Sequence, residues 1–205
     1  DKLVNMTAAQ ILADANLKQY VQASAKVLIG DYCAACHGNG GQGNIGYPIL
    51  ADDDWLFGGT IDTIVASITN GRQGIMPAQG KMLSSQEIDQ LAKYLIGLSE
   101  GKSDPAGQAL YTNKGCLACH GPDAKGMQAL GSANLTDRIW RFQAAPGETQ
   151  LENVRQTIAH GVNDATDPQT RQAQMPMFGG RLNKDAINKL AVYVHELGGG
   201  QTKAK

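Results

Sequence analysis

Cys33-Ala-Ala-Cys36-His37 and Cys116-Leu-Ala-Cys119-His120 are the two stretches that decide the fold of this 205-residue chain. In each stretch two thiols lie one helical turn apart and a histidine follows directly, which is the attachment signal of a c-type haem. The thiols can reach the two vinyl groups of one porphyrin, and the histidine then lies beneath the iron. The sequence therefore predicts two covalent haem c groups, with His37 and His120 as axial iron ligands.

Two other kinds of site use paired cysteines. Both pairs together could hold a zinc ion, or either pair could act as a thioredoxin-like redox couple. Zinc does not require a histidine directly after each pair, and a redox couple does not require duplication with a downstream Met-Pro. Haem attachment is therefore the favoured interpretation.

An internal repeat surrounds the two motifs. Each copy continues through a Gly-rich loop to an acidic-aromatic segment, then a helical pattern that ends in Gly, then Met-Pro, then a closing helix. The expected fold is all-α, with two tandem class I cytochrome c-like domains that each hold one haem. The predicted divisions are a lead-in helix at 1–23, a first domain at 24–99, a linker at 100–105, a second domain at 106–198 and a tail at 199–205.

Met76 and Met175 are the predicted sixth ligands of the irons. A thioether is a usual partner of histidine in cytochromes c, where it raises the reduction potential. Both methionines precede a proline and occupy equivalent places in the repeat. Met177 is an alternative for the second site, because an insertion around 163–171 lengthens the loop before it. The remaining methionines, Met6, Met82 and Met127, lack this context and are expected to pack in the interior.

Other polar side chains have less specific expectations. His160 and His195 have no counterparts in the first repeat and are expected to be surface or capping residues. The indoles of Trp55 and Trp140 could donate to haem propionates, although core packing explains them nearly as well. Three arginines, Arg72, Arg138 and Arg141, could pair with propionates or could remain solvated.

Composition limits the class of partner. The net charge of -1, from 18 basic and 19 acidic residues, gives no basic patch for nucleic acid. No apolar run approaches the roughly 18 residues that span a bilayer, so the chain itself is expected to be soluble. It begins at Asp1, and a leader or anchor is expected to have been removed or left out.

Three features carry a resemblance to a known family: the two haem motifs, the segment Leu50-Ala-Asp-Asp-Asp-Trp55 and its partner Leu135-Thr-Asp-Arg-Ile-Trp140. With these features the chain resembles the dihaem subunit III of cbb3-type cytochrome c oxidases. The resemblance implies axial pairs of His37 with Met76 and of His120 with Met175. It also implies electron transfer from donor c-type cytochromes to a haem-copper subunit that reduces oxygen. The expected location is the periplasmic side of the bacterial membrane, reached through a missing N-terminal anchor or through the complex.

Four functions are open to a chain with two haem motifs. An electron-transfer subunit, which is not an enzyme on its own, needs both axial positions filled, and a free periplasmic dihaem shuttle is the alternative. A dihaem peroxidase would need one iron open to peroxide, which two Met-Pro segments disfavour. A gas or redox sensor would need an exchangeable ligand, and His160 near the altered second loop keeps that class under consideration.

Overall fold

The computed structural model describes residues 2–202, and these form a mostly helical chain. The mostly helical fold predicted from the sequence is confirmed. Short loops and long ordered coils connect the elements, which are α1 (Ala8–Ala13), α2 (Ala15–Ser24), α3 (Lys26–Tyr32), α4 (Ala34–His37), α5 (Ile61–Asn70), β1 (Arg72–Gln73), α6 (Ser85–Ser99), α7 (Pro105–Asn113), α8 (Leu117–His120), α9 (Gln150–His160), β2 (Gln174–Met175) and α10 (Lys184–Leu197).

The predicted lead-in helix is two helices. Apolar positions continue from Ile11 to Leu17, which suggested one helix, but Asp14 has an extended backbone and interrupts the pattern. Its carboxylate accepts hydrogen bonds from the amides of Asn16 and Leu17, as an N-cap residue does. The chain therefore ends α1 at Ala13 and restarts as α2.

The described residues form two compact units that do not follow the predicted domains. One unit combines the N-terminal stretch up to Arg72 with the C-terminal stretch from Gln174 onward, and the other is the continuous segment Gln73–Ala173. Each unit thus takes its haem motif from one repeat and its Met-Pro segment and closing helix from the other. Short strands β1 and β2, which pair with each other, mark the places where the chain changes units.

In the first unit, α10 packs against α5 and against the N-terminal helices α1, α2 and α3. Its interior is aliphatic, with Ile11 and Val21 fully enclosed beside Leu190. Asn188 is also buried, and its amide donates to the Met6 carbonyl. Burial of this amphipathic helix against these four helices is the main stabilising contact of the unit.

In the second unit, α6 packs against α9 and α7. A capping box of Ser84 and Glu87 begins α6, and Thr149 with Glu152 begins α9 in the same way. The predicted interdomain linker at 100–105 lies inside this unit as a turn between α6 and α7. Gly107 packs directly against Tyr94, so α7 lies close against α6.

The predicted tail is ordered as far as it is described. The Gln201 amide donates to the Gly59 carbonyl over 2.8 Å, and the Gln201 side chain accepts from the Gly59 amide over 2.9 Å. These contacts fix the end of the first unit. The predicted tail residues 203–205 lie outside the described residues.

Candidate haem sites

Each haem motif forms a single helical turn that ends at its histidine. In the first unit this turn is α4, and in the second unit it is α8. Gly38 and Gly121 follow with left-handed φ angles of 76° and 81°, so the chain turns sharply away after each histidine. The turn holds the two cysteines and the histidine of each motif at the spacing that one porphyrin requires.

A backbone carbonyl orients each histidine. The Nδ1 atom of His37 lies 2.9 Å from the Pro48 carbonyl oxygen, and that of His120 lies 3.0 Å from the Ala133 carbonyl oxygen. Because the carbonyl can only accept, Nδ1 carries the proton and Nε2 carries the lone pair that binds metal. Burial lowers the pKa of His120, which keeps the imidazole neutral, as ligation requires.

The four cysteines all lie in the described part of the chain and are free thiols. Burial, with a smaller contribution from Cys36, raises the pKa of Cys33 to about 11. Burial also raises the pKa of Cys116. A redox couple needs a lowered thiol pKa, so these surroundings disfavour that alternative. Within residues 2–202 no group of three or more His, Cys, Asp or Glu side chains is arranged to hold a metal ion.

The Met175-Pro176 segment belongs to the first unit. Gly71, which ends α5 with a φ of 70°, lies so close to the Met175 carbonyl that a Cβ there would collide with it. Beyond the proline, the Phe178 amide donates to the last turn of α5 at the Ile68 carbonyl. The Met175 side chain packs against the same hydrophobic cluster as Cys33.

The Met76-Pro77 segment makes the equivalent contacts in the second unit. Gly161 ends α9 with a φ of 68°, and a Cβ there would collide with the Met76 carbonyl. Met76 and Val162 exchange two backbone hydrogen bonds of 2.9 and 2.8 Å. The Gln79 amide donates to the Ile158 carbonyl near the end of α9.

The structure thus brings Met175 into the unit of His37 and Met76 into the unit of His120. This differs from the pairing that the resemblance implied, in which each histidine takes the methionine of its own repeat. The physical reason is that the closing helices are exchanged between the repeats. Each Met-Pro segment lies in the same unit as the closing helix that comes next in the sequence. Met177 is 65% exposed, whereas Met175 is partly buried, which favours Met175 over Met177 as the ligand.

Buried nitrogens support the fit of a propionate-bearing group. Among the described residues, Trp55 Nε1 and Arg141 Nε are both enclosed and have no hydrogen-bond partner. Trp55 packs against the core cluster that contains Cys33, and Trp140, the neighbour of Arg141, packs against the cluster that contains Cys116. Unpaired donors so placed are costly unless an acceptor meets them, and haem propionates are such acceptors. The residues present therefore fit a covalent haem c.

The other arginines have protein partners or lie at the surface. Arg72 donates from Nε to Ser67 and lies over the Phe57 ring. Arg138 is exposed. Burial lowers the pKa of Arg141, as expected for a desolvated cation.

The histidines and methionines that were not predicted as ligands lie in different surroundings. His160 is the last residue of α9, and its Nδ1 lies 3.0 Å from the Asp167 carboxylate. His195 was expected at the surface, but it is 7% exposed, with Nδ1 beside Glu196 and Gly200 against its ring. Met6 packs against the first core, whereas Met82 and Met127 are exposed rather than interior.

Sequence reasoning missed the contacts that hold the ligands in place. The two carbonyls that orient the histidines are backbone atoms, so no residue type in the sequence predicts these contacts. Asn163 and Asp164 contact the chain on both sides of Met76, although they lie in the insertion of the other repeat. Only the length of that insertion drew attention to it.

Comparison with known proteins identifies the family of each half of the chain. Residues 105–198 match the cytochrome c family, and residues 21–95 match the family described as cytochrome c oxidase, cbb3-type, subunit III. The matched segments follow the sequence repeat rather than the compact units. The chain is a c-type cytochrome whose domains carry covalently bound haem c.

Curated relatives cover nearly the whole chain. The cbb3-type cytochrome c oxidase subunit FixP of Azorhizobium caulinodans is 39% identical over 98% of this chain and 68% of its own length. FixP of Bradyrhizobium diazoefficiens is 37% identical over 98% and 70%, and subunit CcoP of Cereibacter sphaeroides is 36% identical over 98% and 69%.

The chain therefore belongs to the subunit III family of cbb3-type cytochrome c oxidases, which confirms the resemblance seen in its sequence. It is an electron-transferring cytochrome c subunit and not an enzyme on its own, and the free shuttle is not favoured. Residues 2–202 form no helix that is long and apolar enough to cross a membrane.

Proposed function

We propose that this subunit holds two haems, one in each compact unit, and relays electrons to the oxygen-reducing haem-copper subunit of its oxidase. His37 and Met175 are the axial ligands in the first unit, and His120 and Met76 are those in the second. The observation that carries this assignment is the close packing of each Met-Pro segment on the glycine that ends the helix of the other repeat.

Haem, when bound, supplies reversible one-electron chemistry at its iron. His37 with Met175 and His120 with Met76 would hold the two haems, and ligation by both residues would leave no position open to a substrate. The hydrophobic clusters beside Cys33 and Cys116 limit the access of water to the sites. The carbonyls of Pro48 and Ala133 hold the imidazoles in one tautomer. A thioether ligand favours the ferrous form and a raised reduction potential.

We propose donor c-type cytochromes and the haem-copper subunit as the partners, and membership of the oxidase family supports this proposal. Donor c-type cytochromes deliver electrons on the periplasmic side of the membrane, and the haem-copper subunit receives them. A near-neutral chain does not steer partners by its overall charge, so local complementary patches are expected to select them.

The ligand assignment is tested by replacing each methionine in a protein whose haems can be told apart. Cys36→Ala leaves the first haem with one thioether bond and shifts the visible band of that haem alone. In this background Met175→His should lower the potential of the labelled haem, and Met76→His that of the other. Met177→His, at the exposed neighbour, is the control and should change neither. If Met76→His instead affects the labelled haem, the assignment fails.

The relay is tested in the assembled oxidase with the full-length subunit. Met76→His and Met175→His should each slow oxygen uptake driven by a reduced c-type cytochrome, while Met177→His should not. Full oxygen uptake in both ligand variants would contradict an obligatory relay through these sites.

A further inference from the structure

We propose that the 163–171 insertion is a brace for the Met76 ligand loop, with Asn163 and Asp164 as positioning residues that hold the thioether in place. This inference rests on the proposed ligation of the second-unit haem by Met76. It gives a structural role to the 163–171 insertion, which has no counterpart in the first repeat. All of the residues involved lie in the second unit.

Asn163 fixes the chain just before the ligand. Its side-chain amide donates to the Gly74 carbonyl over 2.7 Å and to the Ala173 carbonyl over 2.9 Å, and its oxygen accepts from the Ala173 amide over 2.9 Å. The φ angle of Asn163 is 53°, a left-handed value that asparagine tolerates better than most residues. One side chain thus joins the start of the ligand loop to the end of the insertion.

Asp164 fixes the chain just after the ligand. Its Oδ2 accepts from the Ala78 amide over 2.7 Å. Its Oδ1 accepts from the amide and the hydroxyl of Thr166 over 2.8 and 2.7 Å, which holds the carboxylate in position. A carboxylate is a stronger acceptor than a neutral group, so this bond is among the stronger contacts of the loop.

Together with Val162, these residues hold the Met76 segment at three successive points, namely Gly74, Met76 and Ala78. The first repeat lacks this insertion, and its residues 72–75 between Gly71 and Met76 include no aspartate or glutamate. No carboxylate in that stretch can therefore reproduce the Asp164 contact. The two ligand loops therefore differ in how firmly the protein holds them.

This difference has a chemical consequence at the sixth position. An external ligand can bind only when the methionine is displaced, so its apparent affinity falls with the fraction of open loop. A brace that stabilises the closed loop suppresses such binding. Loss of a hydrogen bond of this kind should raise the apparent affinity about tenfold.

Imidazole binding to the ferric protein with both haems measures this effect. In Asp164→Ala, the haem of the second unit should bind imidazole about tenfold more tightly and its potential should fall, while the other haem is unchanged. Asp167→Ala is the matched control, since Asp167 is also an insertion carboxylate but contacts His160 and Gln169 rather than the ligand loop. Equal imidazole affinities in the two variants would overturn the inference.

Two further variants keep the test decisive. Asn163→Gly removes the side-chain contacts but permits the same backbone angle, and it should also tighten imidazole binding even if Asp164→Ala does not fold. Met76→Ala should open the same haem completely. If Met76→Ala leaves imidazole binding unchanged, the ligand assignment has failed; if only the brace variants leave it unchanged, the brace has failed.

Discussion

Arg141 is the residue that most clearly distinguishes the two sites. It follows Trp140, whereas Leu56 follows the equivalent Trp55 in the first repeat. The guanidinium is desolvated and its Nε has no partner within the described chain. A buried cation near a haem opposes the extra positive charge of the ferric state. This interaction should raise the reduction potential of the second-unit haem.

Replacing Arg141 by the leucine of the first repeat tests that expectation. Arg141→Leu should lower the potential of the second-unit haem by about 60 mV, which corresponds to about 1.4 kcal/mol for one electron. The exposed Arg138→Leu removes the same charge close by in sequence and should shift the potential much less, because solvent screens it. Spectroelectrochemical titration measures both. Equal shifts would contradict a specific role for Arg141.

Residue types in the haem motifs were sufficient to predict the haem chemistry but not the surroundings of other side chains. Cys-x-x-Cys followed directly by His is a specific attachment signal of a c-type haem. The burial of His195 depends on packing against Gly200, which no local pattern contains. Met82 and Met127 are exposed because methionine has no spacing rule that would place it in a core.

Among the secondary-structure elements, the glycines that end α5 and α9 control the approach of the ligand loops. Gly71 and Gly161 combine a left-handed φ with a neighbouring backbone carbonyl that leaves no space for a Cβ. Either condition alone favours glycine, and both together require it. The same helix ending therefore also serves as the contact surface for a methionine segment.

Gly161→Ala should destabilise the second unit by about 2 kcal/mol or more and loosen Met76, because strain and collision add. Gly147→Ala is the matched control. Gly147 lies in the same unit with a φ of 89°, but a Cβ added there would meet no atom within 4 Å. Its replacement by alanine therefore costs only the backbone strain of a positive φ. Denaturant unfolding and the absorption band of methionine-ligated ferric haem report the two effects. Equal losses would show that the close approach to Met76 is unimportant.

The helices were largely predictable, because their signals are local. Apolar periodicity and terminal glycines indicated α5, α6, α9 and α10, and a capping box begins two of them. The break between α1 and α2 was missed because Asp14 competes with an apolar pattern that runs through it. Only the observed capping bonds of Asp14 show which signal dominates.

For the whole molecule, the exchange of segments could not be predicted from the sequence. Gly71 and Gly161 are equivalent, and so are the two Met-Pro pairs and the two closing helices. Any local pattern is satisfied equally well whether a segment packs in its own repeat or in the other. The choice depends on long-range contacts, such as those of α10 with α5 and of α6 with α9.

Two fragments separate the exchanged arrangement from the tandem one. The second unit is continuous, so residues 73–173 should fold alone as a cytochrome with one haem and histidine-methionine ligation. The fragment 106–198 follows the sequence repeat but lacks α6 and Met76, and it should bind haem without a stable fold. Haem stoichiometry and thermal unfolding distinguish them. A stable, methionine-ligated 106–198 fragment would contradict the exchange.

The discontinuity of the first unit also imposes an order on biogenesis. Because a polypeptide is synthesised from its N-terminus, Cys33 and Cys36 are made long before Met175, the proposed sixth ligand of the same site. The first site therefore waits for that ligand until nearly the whole polypeptide has been synthesised, whereas His120 follows Met76 along the chain. The site whose cysteines are made first is thus the last to be completed, and a protein truncated before Met175 should leave its first haem open to external ligands.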